Sequence, residues 1–316
     1  SLTAVRLAAK IRKDLGHAFE VRDLFQHPTV AGLAAVLRGK EIVEAEPIAC
    51  VPDATDYAVS HAQQRLWLLH HLSKEVAAYN IAGAFALEGA IDVGALRRAA
   101  EALVARHEVL RANFVQIDGQ ARQRVNRTVN GPVVEYADVS GASDPRNAAM
   151  TLFRAAQTRS FDLERDPLVR FLLINEAPSR HLFAIVLHHI VADGWSLELM
   201  AGELSQMYES NMSGCTSALP PLAVQNRDVS AWLNARSQEA HAMYWQRQLG
   251  GVLPVLDLPT DRPRPPQRSY RGATRSFSIP PATYHGLSCL ARAANASLSM
   301  ALIAVVKTLL VRYSNQ

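Results

Sequence analysis

Two adjacent histidines, His188 and His189, precede Asp193-Gly194 and Trp195-Ser196. The apolar run 182–187 leads into them, and an amphipathic stretch begins at Leu197. This order predicts a buried strand, a loop carrying the histidines, and then a helix. Open α/β sheets gather reactive groups at such strand ends. Imidazole is the side chain best suited to moving protons near neutral pH, so the chemistry on offer is general acid–base catalysis. Taken alone, the segment also fits two hydrogen-bonded core histidines before a tight Asp-Gly turn.

The elements that must position this loop are legible nearby. Residues 169–175 and 182–187 read as neighbouring strands joined through Pro178-Ser179. Residues 79–87 read as a further strand. Asp92 is placed to cap a helix whose apolar face runs Leu96, Ala99, Ala100, Leu103 and Leu110, with Ile91 and Leu96 spaced as a hydrophobic staple. Asp118-Gly119 predicts a hairpin turn between a strand at 113–116 and one at 123–125. Residues 145–158 read as a helix, and Leu197, Met200, Ala201 and Leu204 share one side of another. The main body is therefore α/β.

The first forty residues differ. Ala4, Leu7, Ala8, Ile11 and Leu15 recur at helical spacing until Gly16. A short helix fits 21–26, and Pro28 and Thr29 open a third with Val30, Leu33, Ala34 and Leu37 on one face. Three short helices bury little surface, so an incomplete helical unit is expected at 1–40. The stretch that follows, to about residue 56, has the composition of a linker, which we place at 41–56. Residues 57–235 are expected to form one lobe. Residues 236–316 are expected to hold an extended, proline-rich crossing segment and the start of a second lobe. The helix expected at 298–313 is apolar nearly all round and calls for packing partners in sequence outside this chain.

Composition narrows the function classes. The hydrophobic fraction is 49%, the charged fraction 20% and the net charge +4, which suits an ordinary globular core and a solvated surface. Basic residues are scattered rather than striped, so no nucleic-acid partner is expected. Cys50, Cys215 and Cys289 are far apart, which disfavours zinc and suits a reducing cytoplasm. No uninterrupted apolar stretch reaches membrane-spanning length, and no membrane partner is expected.

Several segments together resemble the condensation domains of nonribosomal peptide synthetases. Ser60-His61-Ala62-Gln63-Gln64-Arg65-Leu66-Trp67-Leu68-Leu69 is similar to the first core motif of that family, and residues 106–114 to the second. Residues 188–196 resemble the third, HHxxxDG. Tyr244-Trp245 and the stretch 258–265 also resemble the family. Around 225–232 the chain departs from pattern, with Asn226 and Val229 where the family commonly has tyrosine. The N-terminal helices resemble the end of a peptidyl carrier domain, with Ser1-Leu2 at the attachment position.

The resemblance implies a chloramphenicol-acetyltransferase-like condensation lobe, a mixed sheet with flanking helices, preceded by an incomplete carrier bundle. It implies amide formation between an upstream carrier-bound acyl thioester and the amine of a downstream carrier-bound aminoacyl group. His189 is the catalytic candidate, either accepting the amine proton or stabilising the intermediate by hydrogen bonding. The Gly194 N–H is a candidate oxyanion donor. His188, which would face the opposite side of the strand, and Asp193, in an ion pair with Arg65, are expected to be structural at the site. Trp67 is expected in the core, and Arg106 and Arg111 in structural ion pairs. Ser1 is the expected attachment site of covalent 4′-phosphopantetheine. Expected partners are an upstream adenylation domain, a phosphopantetheinyl transferase, downstream adenylation and carrier domains, and carrier-tethered aminoacyl substrates. This stretch by itself is expected to be inactive. A relative acylating hydroxyls shares HxxxDG, an epimerase relative differs just after Asp-Gly, and a non-catalytic carrier-docking role is the remaining alternative.

Overall fold

The computed structural model describes residues 2–42, 47–72, 77–128, 134–215, 219–266, 270 and 272–316. They fall into two compact units, Ser1–Leu72 with Asn80–Ala235, and Ser73–Tyr79 with Arg236–Gln316.

The first unit opens with three helices, α1 (Leu2–Leu15), α2 (Val21–Gln26) and α3 (Val30–Arg38). Ala8 and Phe19 are buried among them. Thr29 caps α3 by accepting from the Gly32 N–H at 3.1 Å. The chain folds back before the expected linker begins in earnest. Lys40 reaches the buried carboxylate of Asp23, and His17 bridges Ile42. A buried carboxylate needs a partner cation or donor, and Asp23 recruits Lys40 for it. The resulting bond holds its pKa below the usual carboxylate range.

The lobe that follows contains β1 (Tyr57–Ala58), α4 (His61–Leu72), β2 (Asn80–Glu88), α5 (Val93–Arg106), β3 (Ala112–Ile117) and β4 (Gln120–Val125). It continues through β5 (Val134–Asp138), α6 (Pro145–Thr158), β6 (Val169–Ala177), β7 (Arg180–His188), α7 (Gly194–Ser213) and α8 (Asn226–Asn234). Among the described residues two sheets form, a small one in the order β1-β4-β3 and a larger one in the order β2-β7-β6-β5. The larger is mixed, because β5 runs parallel to β6 while β6–β7 and β7–β2 are antiparallel. The central strands β6 and β7 are buried almost along their whole length, which is why their sequences read as continuous apolar runs rather than alternating ones. Asp118 and Gly119 both take positive φ, 49° and 79°, and turn β3 into β4 as a type I′ hairpin. Asp92 caps α5 by accepting from the Ala95 N–H, and α5 buries Leu96, Ala99, Ala100, Leu103 and Val104. α5 packs along α7.

The second unit holds α9 (Glu239–Gln248), an extended proline-rich stretch, α10 (Pro281–Ala293) and α11 (Leu298–Ser314). α10 and α11 pack on each other, while Met300, Ile303, Leu309 and Tyr313 of α11 are exposed. No single helix among the described residues is long and apolar enough to cross a membrane.

Candidate active site

β7 delivers the histidines. Its register against β2 pairs His188 with Asn80, and the His188 N–H donates to the Leu168 carbonyl at 3.1 Å, so the strand is held to its last residue. Strand alternation then separates the two imidazoles. His188 is 2% exposed and lies edge-on to Phe161 and His70, with ring centroids 6.2 and 5.9 Å away. Burial, aided by the neighbouring His70 and His189, pushes its pKa down to about 4, so it is neutral at physiological pH. Its Nδ1 accepts the Ile190 N–H at 3.1 Å, which puts the ring proton on Nε2.

His189 is exposed. Its Nδ1 lies 2.8 Å from the Ala192 carbonyl oxygen, which can only accept. Nδ1 therefore carries the proton, and Nε2 is left as the basic nitrogen of the ring. The same bond fixes the ring plane against the loop.

Asp193 closes the loop by capping α7. Its carboxylate accepts from the Ser196 N–H at 2.9 Å and the Ser196 hydroxyl at 2.7 Å, and its own N–H donates to Ser196 Oγ. These bonds hold the Asp193 carboxyl below the usual range. The expected ion pair between Asp193 and Arg65 is absent. Arg65 is exposed on α4 and forms no ion pair among the described residues. Locally, the Asp193 carboxylate is engaged through Oδ1 as a helix cap, and a serine three residues on completes a capping box.

Gly194 is the first residue of α7, where helix N–H groups lack intrahelical acceptors. Apart from its chain neighbours and its own helix backbone, no described atom lies within 4 Å of where a Cβ on Gly194 would project, so open space adjoins this glycine at the start of the helix. The site thus combines one exposed imidazole with a basic Nε2 and a helix N-terminus whose partial positive charge favours developing negative charge.

Other expected residues also take defined places. Trp67 is in the core. Arg106 and His107 both donate to buried Glu203 on α7, at 3.3 and 2.6 Å, and Arg111 pairs with Glu108. Arg6 of α1 lies over the Trp195 ring at 4.5 Å, a cation–π contact between the N-terminal helices and the edge of the histidine loop. Ser1 lies outside the described residues. The helix that follows it has no acidic residue in its first turn, which suits a serine carrying an anionic phosphodiester.

Sequence reasoning missed Gln63, His70 and Asn226. The signal was present in part: Gln63, Leu66, Trp67 and His70 fall at helical spacing on one stripe of α4. Gln63, 5% exposed, donates from Nε2 to the Ile190 carbonyl at 3.3 Å and to Asn226 Oδ1 at 3.0 Å.

Comparison with known proteins gives the family. The family model for the condensation domain matches residues 53–316, and that for the phosphopantetheine attachment site matches residues 1–37. The whole chain aligns at 37% identity with a linear gramicidin synthase of Brevibacillus parabrevis, and at 36% with a plipastatin synthase of Bacillus subtilis (strain 168). It spans only 4% and 8% of the length of those two relatives. Among solved structures, the X-domain in complex with OxyB from teicoplanin biosynthesis is similar over 86% of this chain and 60% of that one, with TM-score 0.73 and 25% identity. The starter condensation domain of rhizomide synthetase RzmA is similar over 64% of this chain and 52% of that one, with TM-score 0.57 and 27% identity. A mixed sheet ending in this histidine loop defines a condensation-type lobe. The chain belongs to the condensation-domain family, and a phosphopantetheine-attachment segment of the kind found in nonribosomal peptide synthetases precedes that domain.

Proposed function

We propose that this protein catalyses peptide-bond formation in nonribosomal peptide synthesis, joining the acyl group of an upstream carrier thioester to the amine of a downstream carrier-bound aminoacyl group. The observation that carries the proposal is the His189 tautomer: Nδ1–H is committed to the Ala192 carbonyl, and Nε2 is free to act as a base on the exposed side of the loop. A free α-amino group has a pKa of about 8, so part of it is already neutral near pH 7, and a thioester is an activated acyl donor. Modest acid–base help and good positioning are therefore enough. In the reaction the amine nitrogen bonds to the thioester carbon. His189 Nε2 takes the proton that the nitrogen sheds, and the Gly194 N–H donates to the oxygen as negative charge develops. His189 then returns the proton to the sulfur as the C–S bond breaks.

Ser1 is the residue to which we assign the 4′-phosphopantetheine tether, which supplies the thiol on which the upstream acyl group is carried. His188 and Asp193 shape the loop without touching substrate. Adenylation domains, a phosphopantetheinyl transferase and a downstream carrier are the implied partners, in a bacterial secondary-metabolic, antibiotic-producing setting and a cytoplasmic compartment.

The test is the bond made. In the intact synthetase, with the upstream carrier loaded and the downstream carrier bearing either an amine or its hydroxy analogue, we expect amide product on the downstream carrier by mass spectrometry and little ester. Preferential ester formation would place the protein with hydroxyl acyltransferases. Transfer to neither acceptor would leave a docking role only.

A further inference from the structure

Beyond His188, whose N–H is tied to the Leu168 carbonyl, the loop as far as Asp193 is held among the described residues by short-range bonds with one exception. The Ile190 N–H goes to His188 Nδ1, the Val191 N–H to the His188 carbonyl, the Ala192 carbonyl to His189 Nδ1, and the Asp193 N–H to Ser196 Oγ. All of these lie within the loop or in the first turn of α7. The Ile190 carbonyl is different: it accepts from Gln63 on α4, 127 positions away in sequence.

Gln63 is itself fully committed. The Ser60 N–H can only donate, so it faces Gln63 Oε1, at 2.9 Å. The Ile190 carbonyl can only accept, so it faces Nε2. The second Nε2 hydrogen goes to Asn226 Oδ1 at 3.0 Å, and the second Oε1 lone pair receives the Ser230 hydroxyl at 3.4 Å. Both partner side chains sit on α8, and Ser230 is buried. The amide therefore cannot flip without losing bonds on both sides, and it joins three separate elements at the peptide next to His189.

We propose that Gln63, oriented by Asn226 and Ser230, is a positioning residue that sets the peptide after His189 and thereby holds the imidazole where it acts. Gln63 touches no reacting atom. It works through the loop, because a displaced Ile190–Ala192 backbone moves the carbonyl that fixes the His189 ring plane and tautomer. This rests on the function proposed above for His189.

The experiment uses the intact synthetase with both carriers loaded. Gln63→Glu is nearly isosteric but removes both donors and turns an acceptor toward the Ile190 carbonyl. We expect its turnover to fall about 10- to 100-fold, the range a small misplacement of a catalytic group produces, with the loading of both carriers unchanged. Asn226→Leu keeps the Ile190 bond and should lose less. The deciding comparison is Gln63→Glu in a His189→Ala background. If Gln63 acts through His189, the double variant is no slower than His189→Ala alone. Wild-type turnover in Gln63→Glu overturns the proposal. So does an additive loss in the double variant, which would mark a fold-wide effect. Gln63→Met, which removes the polar contacts without adding charge, repeats the test if Gln63→Glu fails to fold. Should His189→Ala itself keep wild-type turnover, the function assigned to His189 fails instead, and the two failures are distinguishable.

Discussion

Adjacent imidazoles end up one buried and one exposed because a strand turns neighbouring side chains to opposite faces. His188 is neutral because it is buried, and that neutrality carries a pH signature. Its pKa is about 4 in the folded chain against an ordinary value near 6.5 when unfolded. Above pH 6.5 neither state holds the extra proton. As pH falls from 6.5 toward 4, the unfolded chain takes it up and the folded chain does not, so stability drops, by up to roughly 3 kcal/mol from this residue. Urea midpoints measured at pH 7.5 and pH 5 should show the loss. His188→Asn, which keeps an acceptor for the Ile190 N–H but cannot titrate in this range, should show a smaller one. An equal pH dependence in the variant would contradict the assignment. Asp193 contributes differently, as a helix cap. Asp193→Ala should cost about 1 kcal/mol at pH 7 by chemical denaturation, and Asp193→Asn only a few tenths, because asparagine caps as well.

At the scale of elements, β6 and β7 are the foundation of the site. Leu187 is fully buried one residue before the histidines, paired with Ile81 and Val169 on either side. Leu187→Ala should destabilise the chain by roughly 2–5 kcal/mol and loosen the loop at the same time. These strands, the helix capped by Asp92 and the Asp118-Gly119 hairpin were legible because each is specified by local chemistry: an apolar run, a capping side chain, a turn needing positive φ. The pairing of β5 with β6 was not legible, since Glu135 and Tyr136 on β5 are exposed and that strand carries no continuous apolar run. The Arg65–Asp193 pair was misjudged for a related reason. Charge complementarity suggested a distant partner, while a serine three residues away takes one oxygen of the carboxylate for the helix cap. Gln63 escaped notice because a glutamine on an apolar stripe has no chemistry of its own, and only the folded chain shows what it bridges.

For the whole molecule, the order of segments matters as much as the site. A phosphopantetheine-attachment segment precedes a condensation domain, and Arg6 rests on Trp195 beside the histidine loop. If Ser1 is the attachment residue, treating the intact carrier with a phosphopantetheinyl transferase and coenzyme A should add one phosphopantetheine mass on the peptide containing Ser1, and Ser1→Ala should remove it. Modification at another serine would displace that assignment while leaving the condensation site untouched.

In the proposed reaction a single strand-end imidazole serves the bond-forming step. Its most direct test is single-turnover amide formation in the intact synthetase with both carriers loaded, comparing the wild type with His189→Ala. We expect a fall of at least about 100-fold, in line with general acid–base catalysis, with carrier loading unaffected. An unchanged rate in the alanine variant would contradict the role assigned to His189.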